Sequence, residues 1–303
     1  MKIFRPIWAE IDCDAVEYNL RITRSVVGDD VKIMAVVKAD AYGHGAVAVS
    51  KSLLHAGADC LAVASLEEAV ELRNSGIEAD ILILGYTQPG WASMVVKGGF
   101  IQTVYHLGLA RALAQEARRQ GVKARVHLKI DTGMSRIGVQ PERALYLVRE
   151  IASLDGVALE GMYTHFSCAD EPDDDFTPRQ LERFNALATE LRENGIDIPV
   201  LHAANSAAAI RYPESHFDLV RPGIVLYGLA PSEDMKSECS KFKPVMSIKS
   251  TIVELKTAAA GSKVSYGGTF VTQRDTRLAT LPAGYADGFS RKLSNEGRVL
   301  VNG

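Results

Sequence analysis

Eight short runs of apolar, mostly β-branched residues alternate with stretches of helical period, and this alternation constrains the fold more than any other feature of the chain. The runs are Ile33–Val37, Leu61–Ala64, Ile81–Leu84, Ile101–Val104, Val126–Ile130, Val157–Tyr163, Pro199–His202 and Leu219–Val220, the last extending toward Leu226. Each gap holds a turn and a crossover helix, the connection that parallel strands require. Ser65 with Glu68 three residues on is a capping box that opens one such helix. Thr177-Pro178 opens another over Arg179–Asn194, where Leu181, Phe184, Leu187, Ala188 and Leu191 form one stripe that stops at Gly195. Eight consecutive βα units predict an α/β fold with a closed (β/α)8 barrel of the TIM type over residues 12–235.

Beyond about residue 240 the period changes. Ser247-Ile-Lys-Ser-Thr-Ile-Val and Arg277-Leu-Ala-Thr-Leu alternate with period two, and no helical stripe recurs. Residues 236–303 therefore read as a mostly β domain, joined by the strand-like Pro6–Ile11 at the other end of the chain, with a linker around Pro231–Lys243. Composition removes several function classes. With 34 basic and 37 acidic residues the formal charge is −3, which provides no general basic surface for nucleic acid or an anionic membrane. No segment approaches the ~20 apolar residues of a spanning helix. Acids within the first dozen residues argue against a signal peptide. Cys13, Cys60, Cys168 and Cys239 are scattered, without the spacing of a disulfide framework or a zinc site, and fit a reducing cytoplasm.

A parallel barrel builds its active site at the C-terminal ends of its strands. Lys38, in Val36–Gly45, ends the first strand and is followed by a loop with Tyr42 and two glycines. It either reaches for solvent or, desolvated in the barrel mouth, becomes a Schiff-base former. The fifth strand brings two cations, Lys129 and Arg136, whose burial together needs an anion nearby. His165 follows the sixth strand, as a satisfied core residue or a site residue. Asn205 and Ser206 open a short helix after the seventh, and Gly223 and Ile224 supply backbone donors after the eighth, where barrels favour a phosphate. Arg221 either faces that site or merely caps the strand or pairs with Asp218. Tyr266, before two glycines in the β domain, lies in a tight exposed turn. A lysine, an arginine and a phosphate cradle at one mouth point to pyridoxal 5'-phosphate.

These motifs closely resemble those of alanine racemases, barrel-type pyridoxal-phosphate enzymes of fold type III, over nearly the whole chain: WAEIDCDAVEYNL, VVKADAYGHG, KIDTGMSRIG, YTHFSCAD, HAANSAA, DLVRPGIVLYG, VSYGGTF and LPAGYADGFSR. The resemblance implies interconversion of L- and D-alanine, supplying D-alanine for bacterial peptidoglycan, by a homodimer whose subunits share their active sites. It implies that Lys38 holds the cofactor covalently and that Tyr42, Ser206, Gly223 and Ile224 bind its phosphate. Arg221 would face the pyridine nitrogen, Arg136 the phenolic oxygen, and His165 would link Arg221 to a catalytic tyrosine. That tyrosine is Tyr266, contributed by the other subunit as the second base, its anion held by His165. Lys129 matches a lysine often carbamylated, and Tyr285 and Arg291 match residues near the substrate entrance. Family members continue beyond the position matching Gly303, so the β domain is expected to be incomplete here, with unpaired strand edges and weakened dimerisation and activity. Two other readings share the fold: a racemase or decarboxylase of another small amino acid such as serine, and a non-catalytic pyridoxal-phosphate-binding protein. The latter proteins lack a β domain with a VSYGGTF-type motif.

Overall fold

The computed structural model describes residues 5–173 and 175–301. They divide into two compact units, with the boundary between Ile11 and Asp12 and again between Val245 and Met246.

In the smaller unit, β1 (Ile7–Ile11) belongs with the C-terminal segment, as its apolar alternation suggests. In the larger unit α1 (Cys13–Val27) leads into β2 (Lys32–Val36), α2 (Lys38–Gly43), α3 (Ala46–His55), β3 (Cys60–Val63) and α4 (Leu66–Asn74). There follow β4 (Ile81–Ile83), α5 (Ala92–Lys97), β5 (Ile101–Val104), α6 (Leu107–Gln120), β6 (Ala124–Lys129), α7 (Pro141–Ala152) and β7 (Val157–Tyr163). The unit ends with α8 (Phe176–Glu193), β8 (Val200–His202), α9 (Ser206–Arg211) and β9 (Leu219–Val220). The eight strands pair in parallel in the order β8-β7-β6-β5-β4-β3-β2-β9. Asp218 N donates to Leu201 O at 3.1 Å and Arg221 N to Ala204 O at 3.0 Å, which bring β9 against β8 and nearly close the barrel. The strands read as continuous apolar runs because helices cover one side and the barrel interior the other; β3, β4 and β5 are buried at every position.

Local signals place the helices. Asp12 caps α1 by accepting from Ala15 N at 2.9 Å, and Ser65 and Glu68 form the capping box of α4. The predicted stripe of α8, Leu181 to Leu191, is buried throughout, although the helix begins three residues earlier, at Phe176. Two sequence expectations change. The barrel unit continues to Val245 rather than ending at residue 235. Its last segment is tied to α1: the Asn19 amide donates to Lys243 O at 2.8 Å and accepts from Lys243 N at 2.8 Å, while Met235, Cys239, Phe242 and Val245 are buried. The linker read from Pro231–Lys243 is thus part of the barrel's closure. The strand-like extension toward Leu226 is instead a 3-10 turn over Ile224–Tyr227.

In the smaller unit β1 pairs antiparallel with β10 (Met246–Ser250), Ile7 opposite Ser250 and Ile11 opposite Met246. β11 (Glu254–Ala258) pairs with β14 (Thr276–Thr280), and β12 (Lys263–Val264) with β13 (Phe270–Val271). Among the described residues each of these strands has a single partner, and Ile248, Leu255, Val299 and Leu300 are exposed.

Candidate active site

The C-terminal ends of the barrel strands surround a cavity of about 490 Å³. Lys38, Tyr42, Lys129, Arg136, His165, Asn205, Ser206, Arg221, Gly223 and Ile224, all proposed from sequence, line it. Tyr266 and Tyr285 belong to the β unit, where they are 86% and 69% exposed, and Arg291 is exposed in the same unit.

The segment after Lys38 is not the glycine-spaced loop the sequence suggests. Ala39, Asp40, Ala41 and Tyr42 have φ of 52 to 55° and ψ of 37 to 52°, one turn of left-handed helix built without glycine. Such backbone costs ~1–2 kcal/mol per residue, so its surroundings must hold it. Ala39 N donates to Glu68 Oε1 at 2.7 Å, while Oε2 of the same carboxylate accepts from Ala64 N and Ser65 N. Asp40 Oδ1 accepts from Ala46 N at 2.6 Å, and Tyr227 packs against both Tyr42 and His44 at ring separations of 4.9 and 4.7 Å. The capping-box glutamate therefore has a second task, anchoring the turn that carries Lys38 and Tyr42. Burial and the nearby Arg136 charge lower the Lys38 pKa.

Arg136 sits on a loop organised by Asp131. That carboxylate accepts from Gly133 N, Ser135 N and Gln140 Nε2 at 3.1, 2.9 and 3.0 Å. Lys129 is buried, donates to Ile130 O at 2.6 Å, and has its pKa lowered to about 7, first by burial and then by the charge of Arg221. Its ammonium lies 5.5 Å from the centre of the Tyr163 ring, and the Arg221 guanidinium 5.1 Å from the same ring. Tyr163 thus stands among the cations, its hydroxyl 2.9 Å from that of Thr103.

Arg221 is fully desolvated and pairs with no carboxylate among the described residues; Asp218 instead accepts from Leu201 N. Nη2 donates to Thr164 O at 2.7 Å, to Ala203 O at 2.9 Å and to His165 Nδ1 at 3.3 Å, and Nη1 donates to His202 Nδ1 at 2.8 Å. Its Nε has no acceptor among the described residues. Burial and the cations around it hold His165 neutral, with a pKa well below its ordinary value. A ring accepting at Nδ1 carries its proton on Nε2.

Two residues beyond Arg221, Gly223 N donates to Ser206 Oγ at 2.8 Å. A Cβ at Gly223 would lie 2.7 Å from Tyr42 Oη, so only glycine leaves that hydroxyl room. Asn205 caps α9, accepting from Ala208 N at 3.0 Å. The sequence reading missed Tyr163, which lines the cavity, and His202 and His127, which stand behind Arg221. Period two was the available signal, since it places His127 on the same strand face as Lys129.

Comparison with known proteins agrees with this architecture. The family model described as "Alanine racemase, N-terminal domain" matches residues 11–231, and "Alanine racemase, C-terminal domain" matches residues 245–303. The chain is 45% identical over 302 residues to an alanine racemase of Methanococcus maripaludis, covering 99% of this chain and 81% of the relative. It is 46% identical to that of Desulforamulus reducens, covering 98% and 81%. Among solved structures, the alanine racemase of a D-cycloserine-producing Streptomyces lavendulae superposes with a TM-score of 0.93 at 37% identity, covering 99% of this chain and 80% of that one. The Bacillus anthracis alanine racemase with bound L-Ala-P gives 0.87 at 35% identity, covering 97% and 76%. A nearly closed barrel with this set of side chains at its mouth, followed by a mostly β domain, places the chain in the alanine racemase family.

Proposed function

We propose that this protein interconverts L-alanine and D-alanine with pyridoxal 5'-phosphate held at the barrel mouth. The observation that carries the reading is the convergence on one cavity of Lys38, Arg221 and the Tyr42–Ser206–Gly223 cradle. The residues fit the group. Lys38, Lys129, Arg136 and Arg221 outnumber the single lining carboxylate among the described residues, Asp170, which suits a multiply charged anion. The vacant Nε–H of Arg221 suits an acceptor nitrogen, and the hydroxyls of Tyr42 and Ser206, with the backbone at Gly223 and Ile224, suit a phosphate. Bound there, pyridoxal phosphate supplies an electron-withdrawing ring that acidifies the Cα–H of an attached amino acid.

The chain's own residues divide the remaining work. Lys38, its pKa lowered by burial, acts as general base and acid at Cα from one face. Tyr266 of a partner subunit serves the opposite face. Its 86% exposure on a turn entered through Ser265 at φ 61° supports a side chain presented to a second molecule. His165, with Nδ1 held by Arg221, offers an Nε2–H to steady the tyrosine anion. Arg221 cannot accept a proton and so can only donate to the group it faces. Arg136 orients the other edge, with Lys129 beside it, and Tyr285 and Arg291 restrict entry to small side chains. Supply of D-alanine for peptidoglycan in a bacterial cytoplasm follows as the physiological role; no described helix is long and apolar enough to cross a membrane.

Borohydride reduction of protein loaded with pyridoxal phosphate, followed by peptide mapping, is expected to place the label on Lys38. Chiral product analysis is expected to show D-alanine from L-alanine and little turnover of L-serine. A label on Lys129, or cofactor binding without racemisation by the dimer, would refute the reading.

A further inference from the structure

We propose that His127, which is not among the described residues lining the cavity, is a positioning residue: by accepting from His202 it holds that ring, and through it Arg221, in place. The proposal rests on the reading that Arg221 faces the cofactor. Arg221 has only donors, so the His202 Nδ1 that meets its Nη1 at 2.8 Å must be a bare acceptor. The single proton of neutral His202 then sits on Nε2, 2.9 Å from His127 Nδ1. That atom must accept in turn, which puts the His127 proton on Nε2. Donation through the three side chains thus runs one way, from Arg221 Nη1 to His202 Nδ1 and from His202 Nε2 to His127 Nδ1.

The fold is built to keep this arrangement. His127 and His202 are 3% and 0% exposed. Tyr163 stacks on His202 at 4.7 Å with planes 12° apart, which fixes that ring's tilt. β6 and β7 slip register between Val126 and His127, so that Val126 faces Leu159 but His127 faces Gly161. A Cβ on Gly161 would lie 2.7 Å from the His127 ring, so the imidazole occupies space that only glycine leaves open. Burial keeps both rings neutral, as the chain of donors demands.

The consequence for Arg221 is specific. A carboxylate in place of His202 would neutralise the guanidinium, whereas a neutral imidazole locks its Nη1 and leaves the full charge for the ligand. Without an acceptor at position 127 the buried His202 Nε2–H is left unsatisfied, because Arg221 still requires a bare Nδ1, and the ring turns from its present seat to recover a partner. The guanidinium then swings and its Nε no longer addresses the cavity.

Long-range proton–nitrogen correlation on protein without cofactor, labelled with nitrogen-15 histidine, reads these protons directly. Wild type is expected to show neutral Nε2–H rings at both 127 and 202. A proton on Nδ1 of either, or a cationic ring, overturns the proposal without any variant. In His127→Leu the His202 Nε2–H signal is expected to lose its hydrogen-bonded downfield position while Nδ1 stays unprotonated, and pyridoxal-phosphate affinity to fall about tenfold, the scale of one lost bond to a charged group. His127→Asn, whose side-chain oxygen stands where Nδ1 was, is expected to keep the hydrogen-bonded Nε2–H signal and stay within about threefold of wild-type affinity. Equal losses in both variants, or an unchanged His202 Nε2–H signal in His127→Leu, would show that the ring only fills space. If His127→Leu does not fold, the wild-type spectrum and His127→Asn still decide. Failure of wild type to bind pyridoxal phosphate, with the tautomers as expected, would refute the cofactor reading and leave the chain of donors standing.

Discussion

Replacing Lys129 by methionine should stabilise the barrel, and by an amount that depends on pH in a calculable way. The ammonium is buried beside Arg221, which with burial brings its pKa from 10.5 to about 7. A lysine whose folded pKa lies below its unfolded value binds more protons unfolded than folded across that window. Its presence therefore weakens the fold below about pH 7, and stability returns as pH rises toward 10.5. At 1.36 kcal/mol per pH unit the full penalty is about 5 kcal/mol, and relaxation around buried charge reduces it to ~2–4 kcal/mol. Methionine keeps the length and removes the charge. Among the described residues the one hydrogen bond lost is to Ile130 O, which still accepts from Thr164 Oγ1 at 3.1 Å, and the ammonium's contact with the Tyr163 ring goes with it. Urea unfolding in carbon-dioxide-free buffer, without cofactor, should be followed by the helical circular dichroism, since every described α-helix belongs to the barrel unit. Lys129→Met should exceed wild type by ~2–4 kcal/mol at pH 6.5, with the two curves converging near pH 10. Adding bicarbonate at pH 8 should stabilise wild type alone, as a neutral buried amine takes up carbon dioxide and becomes an anion among cations. Parallel curves from pH 6 to 10 would refute the assignment of Lys129 as an uncompensated buried charge.

Two further outcomes follow from the site. Gly223→Ala should leave the unfolding midpoint nearly unchanged, yet weaken pyridoxal-phosphate binding ~10–100-fold, measured by equilibrium dialysis, because its Cβ displaces the Tyr42 hydroxyl. Tyr266→Phe should retain the visible absorbance of bound cofactor while racemisation falls ~10²–10⁴-fold, the usual contribution of a general acid–base group; exchange of the D-alanine Cα proton should survive better than that of L-alanine.

Much of the site was legible because strand ends and turn residues announce themselves locally. Lys38, Arg221 and the Gly223–Ile224 pair stand at the ends of apolar runs, and a parallel barrel gathers such ends at one mouth. Ser65 and Glu68 showed their cap by spacing alone. What stayed hidden depends on contacts across the chain. Nothing in Ala39–Tyr42 announces left-handed backbone, because no residue there is glycine or asparagine and the conformation is held by Glu68, Tyr227 and the Ala46 N–H that Asp40 accepts from. The His202–His127 pair is invisible because its meaning comes from strands 75 positions apart. The end of the barrel was misplaced because residues 236–245 carry no regular period and are held by Asn19.

The left-handed turn after Lys38 also bears on how the protein fails. Four non-glycine residues in that conformation lower the cost of opening this segment by several kcal/mol relative to its right-handed neighbours. As denaturant or heat weakens the Glu68 and Asp40 anchors, the turn should let go while the barrel strands remain paired. The amine and the phenol it carries, three intervening residues apart, would then lose their mutual geometry in a molecule that by every bulk measure is still folded. Inactivation is therefore expected to precede unfolding, at a temperature set by a few bonds around residues 39–42 rather than by the size of the core, and cofactor absorbance read beside circular dichroism along one melt would separate the two.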